Sequence, residues 1–430
     1  MTISNLLMIL IIAVIVYLLI SGYSMFVPLI VSTVILIKIN APALSLTMVI
    51  QQLVEGVSTY VLLSIPLFVF AADIMTYGKT ATRLVDFVKA FVGHIHGGLA
   101  ITVAGACTMF GAISGSGNAT VVAIGKPMRG KMIESGYDET NTDALICSAA
   151  TIAALIPPSI NMIMYSVMTG TSVGEMFLAG IFPGVLMFII FAVMNYFHAK
   201  KNNIPRSERM SWRDRLKVVR KSLLALGFPV LVVGGIYSGL FSPTEAAAMS
   251  VFYAVICEMV IYRTVKIKDL AKIALSSAVM TATIFILIAV GQGFSWIIAF
   301  LQIPQLLAGA LIGSSASVIK ICLIISLFFL VACMFVDQIV AMLILLPILF
   351  PIAQTAGIDP IYLGVLVCFQ SALGFVTPPF GSNIFVACAA FDRPYGKVIK
   401  GLPKYLLAFL IVSILYLVFP KLAFVYRIFQ

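Results

Sequence analysis

Charge is scarce in this chain. Of 430 residues only 10% are Asp, Glu, Lys or Arg, against 62% hydrophobic residues and a mean hydropathy of +1.13, whereas soluble domains carry roughly 25% charged and 45–50% apolar residues. No stretch between the apolar windows is long and polar enough for a soluble domain. Histidine is scarcer still, with three residues, and acidic residues number 16, which leaves little material for a catalytic metal centre. No G-x-x-x-x-G-K-[ST] occurs, so the phosphate-cradling loop of an ATP-driven pump is missing. Neither Lys nor Arg precedes the first apolar run and no small-residue cleavage site follows it, which reads as an uncleaved first span rather than a secretory signal.

What the chain has is apolar windows, at 6–19, 60–72, 177–197, 223–237, 246–262, 281–301, 319–334 and 406–419. The reading is an all-α polytopic membrane protein. A net charge of +11 points to the lipid bilayer rather than to nucleic acid, because the excess sits in short loops and reports orientation through the positive-inside rule. Nine of the 27 basic residues lie between Lys200 and Lys221. With Trp212 among them, that segment (199–222) is expected to be an amphipathic helix on the cytoplasmic surface. The seven cysteines sit mostly inside apolar runs without metal-type spacing and read as small packing residues.

Residues 97–127 are apolar at both ends and broken in the middle by Ser114-Gly115-Ser116-Gly117-Asn118. Two helical crossings need roughly 40 apolar residues, about 20 each, so a re-entrant hairpin is the economical reading. Broken backbone at that depth is tolerated only where protein or a water-filled cavity covers it. Such a tip suits a small solute or ion.

A shift of 221 residues superimposes the two halves without a gap. Gly136 meets Gly357, Asp138 meets Asp359, Leu145 meets Leu366, Cys147 meets Cys368, Pro157-Pro158 meets Pro378-Pro379, and Gly180 meets Gly401. Internal repeats of this kind mark secondary transporters. Counting spans and keeping every basic loop inside makes the halves inverted copies; Lys421 and Arg427 alone dissent. The expected organisation is scaffold helices over 1–75, a first repeat over 76–198 (hairpin 97–127, break at 157–158), the surface segment, arm helices over 223–300, and a second repeat over 301–430 (hairpin 317–354, break at 378–379).

Each break offers oxygen ligands. Each Pro-Pro pair removes two backbone donors, freeing carbonyls near 153–156 and 374–377, and freed carbonyls with Ser, Thr and Asn oxygens suit Na⁺. A proton-coupled carrier would more typically show acidic or histidine relays. The expected sodium ligands are Ser114, Ser116, Asn118, Ala153, Ile156 and Pro158 in the first half, and Asp337, Thr377, Pro378 and Gly381 in the second, forming two sites. A substrate carboxylate is expected at the positive helix end starting near Asn118, on Gly117, Thr120, Ser159, Asn161, Ser382 and Asn383. Asp337 either caps the second arm or tunes the ion site. Ser242-Pro243-Thr244-Glu245 fits a capping box, and Asp138 and Asp359 read as helix caps.

Two other classes compete. His94 and His96 ahead of Ser114 raise an intramembrane serine hydrolase, but neither Ser114 nor Ser116 has the G-x-S-x-G setting of a nucleophile elbow. A scaffold subunit without transport activity is the other, and the inverted repeat speaks against it.

The motifs at 110–116 (FGAISGS), 156–159 (IPPS), 242–247 (SPTEAA) and 377–381 (TPPFG) together resemble the large membrane subunit of tripartite ATP-independent periplasmic (TRAP) transporters over nearly the whole chain. The resemblance implies an inverted-repeat, elevator-type ion-transporter fold with two re-entrant hairpins and two broken helices, in the bacterial inner membrane. It implies Na⁺-driven import of a small organic acid, delivered by a periplasmic substrate-binding protein, with a small membrane subunit of about four helices as partner. It carries the family's ion sites onto Ser114, Ser116, Asn118, Pro157 and Pro158, and onto Asp337, Thr377, Pro378, Pro379, Gly381 and Asn383. Among C4-dicarboxylates, 2-oxo acids and sialic acid, overall similarity leans to sialic acid.

Overall fold

The computed structural model describes residues 13–15, 17–18, 21–305 and 317–429, and all regular structure among them is helical. Most of the window at 6–19, and part of both terminal segments expected above, lie outside the described residues. Among the described residues, six helices are long and apolar enough to cross a membrane: Tyr60–Tyr77, Val173–Lys201, Pro243–Ile261, Ile267–Phe300, Val318–Phe335 and Gln338–Thr355. Pro403–Val418 and the bent tail Pro420–Arg427 count as a seventh if taken together.

Sequence punctuation sets the helix starts. Asp138 and Asp359 accept backbone N–H bonds from Asn141 (2.9 Å) and Ile361 (2.8 Å), and so cap the helices Glu139–Ala150 and Pro360–Gly374. Ser242 and Glu245 form the expected capping box, each bond satisfying a donor the first helical turn leaves orphaned.

The halves keep their 221-residue register in the folded chain. The inbound arm Gly98–Ser114 and its counterpart Val318–Phe335 end at equivalent positions. The outbound arms start at Gly117 and Gln338, again equivalent. The helices beyond the two Pro-Pro sites, Ile160–Thr169 and Ser382–Phe391, are offset by one further residue.

Packing follows the same logic. Gly98–Ser114 rests on Thr80–Val92, Val173–Lys201 and Glu139–Ala150, and Val318–Phe335 rests on Pro360–Gly374. Ile160–Thr169 of the first half packs on Gln338–Thr355 of the second, while Ser382–Phe391 of the second packs on the first hairpin's return arm. One large apolar core joins both halves, and a smaller one fastens the helices Phe26–Asn40 and Leu46–Val57 to the end of Ile267–Phe300 through Leu29, Leu36, Val49 and Phe294.

Three features differ from the sequence reading. The basic segment is not a helix of its own: Val173–Lys201 runs through Lys201, residues 202–211 are non-helical, and a single 26-residue helix, Trp212–Tyr237, carries the remaining charges straight into the next apolar window. Ser211, whose hydroxyl accepts from the Asp214 N–H at 3.2 Å, sets that start. The first hairpin's return arm continues through a π-helical turn, Val121–Gly125, to Glu134, well past the apolar stretch that defined it. Each arm of the second hairpin has 18 residues, a length that by itself also suits a full crossing.

Of the two dissenting C-terminal charges, Arg427 has an acidic partner. The chain bends by 83° after Val418 and the tail folds back on the helix Val173–Lys201, where Arg427 lies 3.7 Å from Glu175 and the Tyr426 hydroxyl donates to that carboxylate at 3.3 Å. Glu175 is at the opposite end of that helix from Lys200 and Lys201.

Candidate functional site

Four interruptions of helical structure lie next to one another. In the first hairpin the chain turns at Gly115, whose φ of +60° suits a residue without Cβ. A Cβ there would stand 2.4 Å from the Pro158 carbonyl oxygen, so the tip and the first Pro-Pro break are in intimate backbone contact. Around the turn, the Thr120 hydroxyl donates to the Ser116 carbonyl (2.8 Å), the Ser116 N–H donates to Ser114 Oγ (3.3 Å), and Ser116 Oγ caps the return arm by accepting from Ala119 N–H (3.4 Å). Asn118 Oδ1 is buried with no hydrogen-bond partner.

The first broken helix leaves helical geometry after Ala154, passes through a cis Pro157-Pro158 bond and resumes at Ile160. All of residues 151–160 are buried. Part of the freed backbone is satisfied locally: Ser159 Oγ donates to the Ala154 carbonyl at 2.7 Å. The Pro158 carbonyl faces Gly115, and Asn161 Oδ1 is buried without a partner.

In the second half Asp337 caps the outbound arm, accepting from Ile339 N–H at 2.9 Å. Under the 221-residue shift it stands where Ser116 stands in the first half, and both residues do the same capping work. The second break contains the cis Pro378-Pro379 bond. Thr377 Oγ1 donates to the Leu373 carbonyl (2.7 Å), the Thr377 carbonyl accepts from Gly381 N–H (3.2 Å), and Phe380 N–H reaches across to the Met334 carbonyl of the second hairpin (3.0 Å). A cavity of about 100 Å³ lies here, lined by Asp337, Gln338, Ser371, Ser382 and surrounding Phe side chains. Asp337 remains accessible at its mouth, as do Pro379 and Phe380. The first site is the more buried of the two: Ser116 and Asn118 are partly buried, whereas Asp337, Pro379 and Phe380 are exposed.

The halves interlock reciprocally. Asn161, the second residue of its helix, donates through Nδ2 to Gln338 Oε1 at the start of the second hairpin's return arm. Asn383, also the second residue of its helix, lies against Gly117 at the start of the first hairpin's return arm, where an added Cβ would be 3.0 Å from its amide atoms. Its Nδ2 donates to the Cys147 carbonyl at 3.1 Å. A contact of one half on the other that recurs in reverse is the mark of a two-fold relationship.

Sequence reasoning singled out most of these residues but missed Gln338, although it lies at the 221-residue counterpart of Gly117. It also missed an ion-pair cluster behind the first site. The fully buried Asp143 carboxylate accepts from Arg129 Nε (2.6 Å) and Arg393 Nε (3.4 Å), and Glu139 pairs with Arg393 Nη1 at 2.6 Å. Arg129 lies in the return arm of the first hairpin and Arg393 follows the second broken helix, so the cluster is a second tie between the halves. Asp143 directly ahead of the mostly small and apolar run 144–150 was the available signal. The hydrolase rival finds little in this geometry: the Ser114 hydroxyl's hydrogen bonds are with Ser116 and Thr120, and His96 instead packs its ring edge-on to Tyr196.

Paired, interlocked helix breaks with oxygen-rich interiors, set in a bundle of apolar spans, define a multi-pass membrane protein of the transporter class. The fold agrees with the crystal structure of the Alcanivorax borkumensis YdaH transporter, at a TM-score of 0.63, 16% identity and coverage of 87% of this chain and 88% of that one.

Residues 10–422 match the family described as tripartite ATP-independent periplasmic transporter, DctM component. The chain is 46% identical over 95% of its length to the ectoine/5-hydroxyectoine TRAP transporter large permease protein of Ruegeria pomeroyi, covering 96% of that protein. It is 46% identical, over the same shares, to the ectoine TRAP transporter large permease protein of Halomonas elongata. This chain belongs to the DctM family of TRAP transporter large permease subunits. Its relatives are transport permeases, not enzymes. The leaning to sialic acid is overturned: the sialic acid TRAP permease of Vibrio cholerae is 33% identical over 86% of the chain, well below the two ectoine permeases. The lean had no basis in the binding residues, since neither tip carries an anion-pairing Arg that would distinguish one acid from another.

Proposed function

We propose that this chain is the permease subunit of a Na⁺-coupled importer of a compact organic zwitterion of the ectoine type, working in the bacterial inner membrane with a small membrane subunit and a periplasmic substrate-binding protein. The observation that carries this reading is the set of buried, unpartnered oxygens at the interlocked breaks: Asn118 Oδ1, Asn161 Oδ1, Ser382 Oγ and Asn383 Oδ1. An unsatisfied buried polar atom costs roughly 1–3 kcal/mol, and clustered acceptors are what a desolvated cation and a polar substrate would satisfy.

Ser114, Ser116 and Asn118 with the carbonyls of Ala153, Ile156 and Pro158 would hold one sodium ion; Asp337, Thr377, Pro378 and Gly381 would hold the other. Bound there, the ions supply positive charge that offsets buried carbonyl dipoles and stiffens the tips. The substrate would lie between the tips on Gly117, Thr120, Asn161, Ser382 and Asn383; Ser159, its hydroxyl engaged with Ala154, would support the break behind them. The hairpins would be re-entrant, and the two inverted halves would move as one body against the scaffold helices, an elevator motion. The ectoine permeases' similarity favours a zwitterion over a C4-dicarboxylate, named for a Pseudomonas aeruginosa relative at 38% identity.

Reconstitution with both partner subunits tests this. Labelled ectoine uptake driven by an inward Na⁺ gradient is expected, with unlabelled ectoine competing far better than succinate. Unchanged uptake when K⁺ replaces Na⁺ would eliminate sodium coupling. Efficient competition by succinate alone would eliminate the zwitterion.

A further inference from the structure

Away from the helix breaks, a second polar cavity of about 440 Å³ lies between the helices Thr80–Val92 and Trp212–Tyr237, lined by Lys79, Thr82, Arg83, Asp86, Lys221 and Ser222 among others. Three cations meet one acid there, and none of the three forms an ion pair within 4 Å among the described residues. The Arg83 guanidinium lies over the Tyr262 ring at 3.1 Å from its centroid, and its Nη1 is buried with no hydrogen-bond partner. Glu258 sits behind the cavity but is engaged elsewhere: it is fully buried and accepts from the Thr80 hydroxyl at 2.6 Å, from the Thr264 hydroxyl and from the Lys79 N–H at 3.4 Å. Counting Asp86 and Glu258 against Lys79, Arg83 and Lys221 leaves one positive charge uncompensated.

A stacked, pre-oriented guanidinium, flanked by two exposed ammonium groups and the exposed Thr82 hydroxyl, matches the chemistry of a phosphodiester monoanion, while the Ser222 hydroxyl donates to the Arg83 carbonyl at 3.0 Å and ties the two helices together. The surroundings distinguish a lipid phosphate from a free one. Leu223, 60% exposed, adjoins Ser222, and Val260 and Ile261, 62% and 51% exposed, immediately precede Tyr262. These apolar residues give acyl chains a surface beside the headgroup, on the face where basic loops meet anionic lipid.

We propose that this cavity is a binding site for the phosphate headgroup of an anionic phospholipid such as phosphatidylglycerol, which bridges the helix leading into the first hairpin and the basic helix Trp212–Tyr237.

The test uses the purified full chain, delipidated in detergent and titrated with phosphatidylglycerol or phosphatidylcholine, with retained lipid counted by native mass spectrometry. One phosphatidylglycerol should survive conditions that strip phosphatidylcholine. Lys79→Gln with Lys221→Gln should weaken retention about thirtyfold, since each basic residue near an anionic headgroup contributes about a fivefold factor. This pair leaves the Arg83–Tyr262 stack in place, so loss of folding does not confuse the result; near-ultraviolet circular dichroism verifies that. Lys217→Gln with Arg220→Gln, on the same helix but outside the cavity, should change retention little. Equal retention by the two double variants overturns the proposal. Displacement of the lipid by millimolar inorganic phosphate, with matching thermal stabilisation by phosphate alone, overturns the lipid assignment in favour of a soluble anion.

Discussion

Asn383 donates from Nδ2 to the Cys147 carbonyl oxygen at 3.1 Å, across 236 positions of sequence, and Cys147 Sγ lies 3.9 Å from the Asn383 carbonyl in return. The second half of the chain thus places an amide side chain inside the first half's broken helix, directly beside Gly117. The tip of one hairpin and the broken helix of the other half are one packing unit.

Replacing Asn383 with Leu keeps the branched shape, removes the donor and leaves the Cys147 carbonyl without it. The expected cost is about 1–3 kcal/mol of stability, the range for a buried acceptor left unsatisfied, together with loss of uptake. Thermal unfolding in detergent and proteoliposome uptake measure the two; full uptake by this variant would remove Asn383 from the substrate site.

Gly115 tests the hairpin turn. Alanine there pays about 1–2 kcal/mol for the left-handed backbone and also collides with the Pro158 carbonyl. Uptake should fall to background with membrane insertion intact, whereas the same substitution at Gly130, which faces open space, should leave uptake near the wild-type rate.

Asp337 separates capping from ion binding. Asparagine caps a helix as well as aspartate does, while alanine loses about 1 kcal/mol of cap. If the carboxylate contributes charge to a cation site, Asp337→Asn and Asp337→Ala should both raise the Na⁺ concentration needed for half-maximal uptake by tenfold or more, which corresponds to about 1.4 kcal/mol. A normal Na⁺ dependence in Asp337→Asn with a defect only in Asp337→Ala would reduce Asp337 to a cap.

Asp143 tests the tie between the halves. Asp143→Asn leaves Arg129 and Arg393, each 15% exposed, without their buried counter-charge. Breaking such a pair costs about 3–5 kcal/mol. A marked fall in melting temperature is expected, and the exposed pair Asp214–Lys217, at 3.0 Å, serves as the contrast: Asp214→Asn should leave the melting temperature near the wild-type value.

Local signals were legible in the sequence because local physics makes them. Asp138, Asp359 and Ser242 cap helices wherever they precede one, and Pro157-Pro158 and Pro378-Pro379 cannot continue a helix in any tertiary setting. The 221-residue register was readable for the same reason, since matching punctuation yields matching helix starts at Gly117 and Gln338. Contacts between distant segments were not readable. Nothing near Arg129 in sequence announces Arg393, and Gln338 gains its role only when folding brings it to Asn161. The freed carbonyls were overstated because proline spacing says which donors vanish, not that the Ser159 hydroxyl turns back onto Ala154 or that the N–H groups of Thr377, Asn383 and Gly381 cover the carbonyls of Gly374, Phe375 and Thr377. Substrate preference was the least legible, because the tips hold generic oxygens; similarity to whole relatives, not any motif, overturned the leaning to sialic acid.

The reciprocal pairing of Asn161 with Gln338 and of Asn383 with Gly117 means that each half sets an amide side chain of its broken helix against the hairpin of the other. A fragment ending at the arm helices would keep the backbone contact of Gly115 with Pro158 but lose the Asn383 side chain that packs on Gly117. Carrying both halves on one chain makes that contact intramolecular, present whenever the chain is folded.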